Sequence, residues 1–245
     1  MTETAITMRG VRAGYGATTV LHDITATVPR ARVTALVGHN GSGKSTLLGV
    51  LAGCLSPSEG SVEQAGTSRP SLVPQHAQIP AALPMSVRDA VAMGRWAHRG
   101  WWKPLTRHDK AVIAECMERV GVADLAPRQL RELSGGQCRR ALIAQGLAQR
   151  SELLLLDEPA AGLDQDAQER IMSILDGLAG DGVTVVHATH DPHAAQRAHH
   201  CLHLADGRLL RQGPPDDLRV SRHRPWHVGR KSPGRLQRND GGHDS

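Results

Sequence analysis

The sequence predicts an α/β domain with a mostly parallel sheet, an antiparallel β part at its N-terminus and an inserted α-helical subdomain. Strands and helices alternate at both ends of the chain, as expected for a parallel sheet. The short apolar runs Val33–Val37 and Leu153–Leu156 are typical of strands buried on both faces. The 245 residues are enough for one such domain with a full core.

The N-terminal part begins with two predicted strands, residues 5–11 and 18–28, joined by a turn at Gly14–Gly16. The buried strand Val33–Val37 follows and ends in glycine. A glycine-rich loop then leads into a helix over Ser45–Leu51. This order predicts a strand–loop–helix unit.

The middle of the chain, about residues 76–150, has helical patterns and is interpreted as the inserted subdomain. We predict helices over 86–94 and 108–120, with an irregular basic and aromatic loop, Arg95–Pro104, between them. Ser134 is a predicted N-cap of a further helix that reaches about Gln149.

The C-terminal part returns to alternation and then loses its periodicity. The expected elements are a strand at 153–156, a helix at 165–179, a strand at 183–188, a short helix opened by Pro192 and two strands around the turn Ala205–Gly207. From about Asp216, proline, glycine, arginine and aspartate dominate. We therefore predict a domain at 1–215 and a disordered basic tail at 216–245.

Composition limits the class of protein. Apolar residues make up 40% of the chain, and no run approaches the roughly 18 apolar residues that a membrane span needs. The first residues lack the basic and apolar pattern of a signal peptide, so a cytosolic protein is expected. In that compartment the four separated cysteines, Cys54, Cys116, Cys138 and Cys201, should be reduced thiols.

The net charge of +5 is concentrated at the C-terminus, where Arg208–Ser245 holds nine Arg or Lys against four Asp. Such a segment can bind nucleic acid or anionic lipid. We interpret it as a solvated basic tail and expect no nucleic-acid partner.

A complete phosphate-binding motif lies between the third strand and the first helix. Gly38–Ser45 matches G-x-x-x-x-G-K-[ST] at every fixed position. In such a loop, backbone N–H groups and the helix N-terminus surround the phosphates, the lysine reaches the β- and γ-phosphates, and the hydroxyl ligates Mg²⁺. The predicted nucleotide-binding residues are Gly38, His39, Asn40, Gly41, Ser42, Gly43, Lys44, Ser45 and Thr46.

Two adjacent carboxylates follow the strand Leu153–Leu156. Strands of this kind deliver polar residues to the sheet edge where ligands bind. Asp157 is placed to hold Mg²⁺, and Glu158 beside it is placed to polarise the attacking water as a general base.

A second candidate anion site lies at the predicted start of the helix capped by Ser134. We call Leu133–Gln137, the sequence Leu-Ser-Gly-Gly-Gln, the signature pentapeptide. Backbone N–H groups at this helix start can bind an anion, although the phosphate loop is already complete. With this pentapeptide, the sequence resembles the ATP-binding cassette (ABC) ATPase family over about residues 5–215, and the resemblance implies a RecA-like P-loop core.

The resemblance assigns roles to further residues. It implies that Tyr15 stacks on adenine, that Gln75 contacts Mg²⁺ and the lytic water, and that His190 contacts the γ-phosphate. Gly162–Asp164 matches the D-loop. The expected catalytic residues are thus Glu158, His190 and Gln75. Mg²⁺ would be held by Ser45, Gln75 and Asp157. The further residues expected to contact ATP are Ser134, Gly135, Gly136, Gln137, Asp157 and Asp164.

The resemblance also implies a head-to-tail homodimer in which each ATP lies between the phosphate loop of one subunit and the signature pentapeptide of the other. Glu158 and His190 would act within one subunit, and Ser134 and Gly136 across the interface. The chain departs from the family pattern in two segments. Cys138 follows the pentapeptide where many relatives have Gln or Arg, and Ala160 and Ala161 precede Gly162 where a serine is more usual.

Two segments, Pro84–Arg95 and Gly100–Thr106, resemble the manganese, zinc and iron importer branch, and siderophore and heme importers have comparable segments. This branch implies integral membrane permease subunits, a substrate-binding protein and a peripheral location on the inner face of the membrane. The alternative from another class is a soluble ABC ATPase, such as one in iron–sulfur cluster assembly.

Two clusters in the chain have an unusual composition. Three of the four tryptophans fall between positions 96 and 102, and Trp101 and Trp102 are predicted to help dock the membrane partner. The histidines near His199 and Cys201 lack the spacing of a closed metal site, so none is predicted there.

Overall fold

The computed structural model describes residues 3–75, 84–99 and 103–216. Its N-terminal sheet is antiparallel, with strands β1 (Thr4–Tyr15), β2 (Thr18–Pro29) and β4 (Glu59–Gln64) in the order β2-β1-β4. Strand β4 was not predicted from the sequence. This edge strand has no fully buried residue, and its sequence, Glu-Gly-Ser-Val-Glu-Gln, is nearly all polar. It therefore lacks the apolar pattern by which a strand is predicted.

The second sheet has six strands in the order β5-β6-β7-β3-β8-β9. The strands β3 (Val33–Val37), β5 (Ser71–Val73), β6 (Leu153–Asp157), β7 (Thr184–Thr189) and β8 (His200–Ala205) are parallel, and β9 (Arg208–Gly213) is antiparallel to β8. Every residue of β3 and β7 is buried, which confirms the interpretation of Val33–Val37 as a strand buried on both faces.

Six α-helices surround these strands within the described residues. They are α1 (Lys44–Leu51), α2 (Val87–Arg99), α3 (Arg107–Arg119), α4 (Gly135–Ala148), α5 (Gln165–Gly180) and α6 (Pro192–Arg197). The predicted N-cap at Ser134 is confirmed, because its side chain accepts from Gln137 N. The predicted helix start at Pro192 is also confirmed, with Asp191 before it as the N-cap.

The prediction of an irregular loop over Arg95–Pro104 is wrong at its start, because α2 continues to Arg99. Arg95 is buried, and its Nε donates to Asp109 Oδ1 at 2.9 Å. Its Nη1 donates to Ala148 O at 2.9 Å. These bonds tie the last turns of α2 to α3 and α4, and a charge buried in this way requires such partners.

Two apolar cores lie on opposite faces of the six-stranded sheet. One joins the sheet to α2–α6, and the other joins it to α1 and the antiparallel sheet. Alternate residues of the same strand divide between them, so Val185 belongs to the first core and Val186 to the second. In the described ranges, no helix is long and apolar enough to cross a membrane.

Candidate ATP-hydrolysis site

The phosphate loop leaves the end of β3 through a tightly enclosed glycine. A side-chain Cβ at Gly38 would lie 2.4 Å from both Leu204 O and Ser42 Oγ, so no other residue fits there. The turn between β8 and β9 contacts one side of the loop, where Gly207 N donates to Ser42 O at 3.1 Å. Strand β2 covers its other side. The loop is therefore held in shape by its neighbours at the sheet edge.

Lys44 begins α1 and is buried, with 6% of its surface exposed. Its ammonium donates to Gly38 O at 2.9 Å and to His39 O at 3.1 Å, so the loop curls around the charge. The first N–H groups of α1 have no partner within the helix, and the helix dipole adds positive potential there. Together these features make an anion site.

Glu158 follows β6 directly and brings three predicted site residues together. Its Oε1 lies 3.6 Å from Lys44 Nζ and 3.3 Å from His190 Nδ1. Its Oε2 accepts a hydrogen bond from Gln75 Nε2 at 3.1 Å. Gln75 follows β5 and His190 follows β7, so the neighbouring parallel strands β5, β6 and β7 deliver Gln75, Glu158 and His190 to one sheet edge.

The backbone at Glu158 has φ 46°, in the left-handed region that non-glycine residues seldom adopt. Conformations of this kind persist where the surroundings fix them, and they concentrate at functional sites. Only 9% of Glu158 is exposed, and its carboxylate contacts three polar groups. This arrangement can hold a base in a fixed position next to a bound phosphate.

The residues expected to hold Mg²⁺ fit that ion by their chemistry. Ser45 is exposed at the second position of α1, and Asp157 is half-buried at the end of β6. Gln75 donates its Nε2 to Glu158, so its Oε1 is left as an acceptor. Hydroxyl, carboxylate and amide oxygens are the ligands that Mg²⁺ prefers, alongside substrate phosphates. When bound, the ion would neutralise charge on the phosphates.

The signature pentapeptide lies at the start of α4, close to the start of α5. Ser134 and Gln137 form a reciprocal capping box, with Gln137 Oε1 accepting from Ser134 N at 3.0 Å. A Cβ at Gly136 would lie 3.0 Å from Ala167 Cβ, so a glycine permits this close packing of α4 on α5. Asp164 caps α5 by accepting from Ala167 N at 2.9 Å.

Within the part of the chain that the structure describes, no hydrogen bond or ion pair joins the signature pentapeptide to the phosphate loop. The predicted site residues therefore form two groups. One surrounds Glu158, and the other consists of Ser134, Gly135, Gly136 and Gln137 beside Asp164. The two groups of predicted site residues are therefore separate within one chain.

A sequence model described as "ABC transporter" matches residues 21–161. The chain belongs to the ABC transporter family. The manganese transport system ATP-binding protein MntA of Synechocystis is 37% identical and covers 86% of this chain and 85% of its own. The ferric enterobactin transport ATP-binding protein FepC of Escherichia coli is 34% identical over 89% and 85%. A solved chain described as of metal-chelate type superposes with a TM-score of 0.82 at 31% identity, covering 89% of this chain and 86% of that one.

This membership confirms the expected ABC ATPase fold, with its antiparallel β part and its sheet flanked by helices. It also confirms the chain as an ABC-type ATPase. In this ABC ATPase, the phosphate loop lies between a strand and a helix, the paired carboxylates lie at the end of a strand, and the signature pentapeptide lies at a helix start, as predicted from the sequence.

Tyr15 ends β1 at the tip of the antiparallel sheet and is 60% exposed, unlike most large hydrophobic residues of this ABC ATPase. The strand that follows the tip runs beside the phosphate loop: a Cβ at Gly43 would lie 2.9 Å from Leu21 Cδ2. The loop residues His39, Asn40 and Gly41 are exposed as well. An exposed aromatic ring on this sheet is available for stacking.

Two features of the site were not predicted from the sequence. A cavity of about 940 Å³ runs from Glu158 and His190 to His187, between α5 and α6. His187 is 1% exposed, and neither of its ring nitrogens has a hydrogen-bond partner among the described residues. Burial lowers the pKa of His187 to about 4, so the ring is neutral at pH 7. In the sequence, only the position of His187 within the apolar run of β7 indicates that its ring is buried.

Cys138 is half-buried just after the signature pentapeptide, and burial raises the pKa of its thiol, with Arg139 opposing the change. A raised pKa keeps the thiol protonated, so the structure favours a passive residue here. The histidines beside Cys201 belong to no cluster of three or more His, Cys, Asp or Glu side chains that could hold a metal ion, and the described residues contain no other cluster of that kind.

Proposed function

We propose that this chain is the ATP-hydrolysing subunit of an importer for a transition metal, zinc or manganese. The observation that carries the proposal is the convergence of Lys44, Gln75 and His190 on Glu158. The similarity to a relative named for manganese transport supports the choice of cargo. The partner subunits, and not this chain, would bind and transport the metal ion.

The proposed catalytic unit is a head-to-tail homodimer with two composite sites. The triphosphate would lie on the phosphate loop of one subunit, with Tyr15 against the adenine and Lys44 at the β- and γ-phosphates. Ser134, Gly135, Gly136 and Gln137 of the other subunit would close the site, as would the neighbouring Asp164. The separation of these two groups within one chain supports this assembly.

Glu158 would accept a proton from the attacking water, and the bonds from Gln75 and His190 would orient its carboxylate. His190 and Gln75 would also contact the γ-phosphate and Mg²⁺ respectively. Lys44, now 3.6 Å from Glu158, would neutralise phosphate charge. Ser45 and Asp157 would complete the protein ligands of Mg²⁺.

In this proposal, residues 1–215 form the ATPase domain, with a helical subdomain at about 76–150, and residues 216–245 form a basic tail. The partners would be integral membrane permease subunits and a substrate-binding protein. The ATPase would lie peripherally on the inner face of the membrane through the permease.

A second candidate cargo is a ferric siderophore. The relative named for ferric enterobactin transport is 34% identical to this chain, close to the 37% of the manganese relative. The difference between them is too small to choose a cargo by itself. An uptake measurement separates the two.

The test is reconstitution of the ATPase with its permease subunits in vesicles loaded with ATP. Uptake of radioactive Mn²⁺, Zn²⁺ and a ferric siderophore is measured in the presence of the matching binding protein. We expect ATP-dependent uptake of Mn²⁺ or Zn²⁺ that the Lys44→Ala variant abolishes. Uptake of the ferric siderophore alone would replace the metal proposal with the second candidate.

A further inference from the structure

A small cleft of about 180 Å³ opens beside the signature pentapeptide, between the first turns of α4 and α5. Ser134 and Gly136 line one part of it, and the side chains of Arg140 and Arg170 line another. We call it the arginine cleft. Two cations therefore lie next to the residues that would face the triphosphate of the partner subunit.

Arg140 is fixed in this cleft by the backbone at the end of α3. Its Nη1 donates to Val120 O at 3.0 Å and also to Gly121 O. Burial lowers the pKa of Arg140, and the charge of Arg170 lowers it further, whereas Asp124 opposes the change. The guanidinium remains charged, and the effect of Arg170 indicates that the two cations lie near one another.

Arg170 is exposed on α5 and has no hydrogen bond or ion pair within the described part of the chain. Asp166 lies one turn before it and Glu169 lies next to it, yet neither forms an ion pair with it. Asp164 also lines the cleft, where its carboxylate caps α5. The positive charge at Arg170 is thus not neutralised by direct contact.

Uncompensated like charges at the edge of an anion site favour the approach of an anion. Positive charge near a binding site raises the rate of association with an anion, and the effect weakens as salt is added. Exposed charges at the rim of a protein interface likewise change the association rate of the two proteins and its dependence on salt. The triphosphate carried by a second subunit is an anion of the required kind.

We propose that Arg170 is a positioning residue that draws the triphosphate bound to one subunit towards the signature pentapeptide of the other, with Arg140 as its fixed neighbour. This inference rests on the proposed homodimer. It assigns Arg170 to dimer closure around ATP and leaves the chemistry of hydrolysis to Glu158.

The test measures ATP-driven dimerisation by sedimentation in the slowly hydrolysing Glu158→Gln background. Arg170→Glu should weaken dimerisation about tenfold at low salt, since each of the two sites contributes about threefold, a typical size for exposed charges. Arg170→Gln should have a smaller effect, and Arg170→Lys should restore most of the affinity. The loss should shrink as salt is raised to about 0.5 M.

Arg32→Glu is the matched control, because Arg32 is also exposed but precedes β3 at the sheet edge opposite the phosphate loop. It changes the net charge by the same amount and should leave dimerisation unchanged. Equal effects of Arg170→Glu and Arg32→Glu would overturn the inference. The inference would also be overturned if Arg170→Gln lowered the melting temperature and Arg170→Lys did not restore dimerisation. Together these results would indicate a structural role for Arg170.

The two levels of the proposal fail in different ways. If the Glu158→Gln parent does not dimerise with ATP at all, the proposed homodimer is wrong and the role of Arg170 falls with it. If the parent dimerises and the Arg170 variants match it at every salt concentration, only the role of Arg170 is wrong. ATP binding to the monomer should be unchanged in all variants, as measured with a fluorescent nucleotide.

Discussion

Lys44 and Glu158 form a buried ion pair, with Nζ 3.6 Å from Oε1 and side chains only 5% and 10% exposed. The phosphate-loop cation and the proposed base thus share one polar cluster with Gln75 and His190. A charged pair in such a setting depends on its remaining hydrogen bonds, because desolvation of each ion is costly. Changes at any member should alter the positions of the others.

Glu158→Gln should retain ATP binding and lower turnover by about 10²–10⁴-fold, because the amide fills the same space but cannot accept the proton. Phosphate release measures turnover, and a fluorescent nucleotide measures binding. The variant should also accumulate as an ATP-bound dimer on a sizing column. Glu169→Gln, at a carboxylate that lines the same cavity, is the control and should hydrolyse ATP normally. Hydrolysis by Glu158→Gln at the wild-type rate would remove Glu158 as the base.

Ser134→Arg should abolish activity without weakening ATP binding to the monomer. The side chain caps α4 at the edge of a cleft, apart from the phosphate loop, so only the facing subunit would be obstructed. Mixing this variant with Lys44→Ala should restore part of the activity, because a heterodimer rebuilds one intact composite site. Reduced ATP affinity of the Ser134→Arg monomer would contradict a role across the interface.

His187 should make the protein less stable in acid. The folded-state pKa of about 4 lies below the ordinary value of 6.5, so the unfolded chain binds an extra proton between these pH values. The stability contributed by the neutral ring is complete above about pH 6.5. It is lost as the pH falls towards 4, by up to about 3 kcal/mol.

Urea unfolding of His187→Met at pH 7.5 and 4.5 isolates this contribution from those of His200 and His203, whose pKa values burial also lowers. Methionine has a similar volume and no proton to gain. Its free energy of unfolding should therefore fall less between the two pH values than that of the wild type. The exposed His193→Met is the control. An equal fall in wild type and His187→Met would show that His187 does not cause the acid sensitivity.

Trp101 and Trp102 lie outside the described residues, and the docking role predicted from their composition stays a prediction. Replacing both by alanine should leave the isolated subunit folded and able to bind ATP. Co-purification with the permease and substrate-stimulated hydrolysis should both fall, because tryptophan is enriched among residues that dominate interfaces. A lowered melting temperature with unchanged co-purification would assign the two residues to the subunit's own packing.

The sequence by itself determined the elements that carry the phosphate site. The loop Gly38–Ser45, the carboxylates after β6 and the cap at Ser134 follow local rules: buried strands are continuous apolar runs, and helix starts require polar caps. The family resemblance added Gln75 and His190, which are single polar residues without a local signal. The sequence also indicated the alternation of strands and helices at both ends of the chain.

Only the tertiary structure decided what these residues contact. The bonds from Gln75 and His190 to Glu158 join residues 83 and 32 positions apart in the chain, which spacing alone does not reveal. The continuation of α2 through Arg95 depends on Asp109 and on a carbonyl of α4, and the polar strand β4 depends on pairing with β1. The arginine cleft likewise needs α4 and α5 side by side. These features are decided by packing between distant segments, because burial and pairing energies depend on which groups meet in space and local sequence preferences do not specify that.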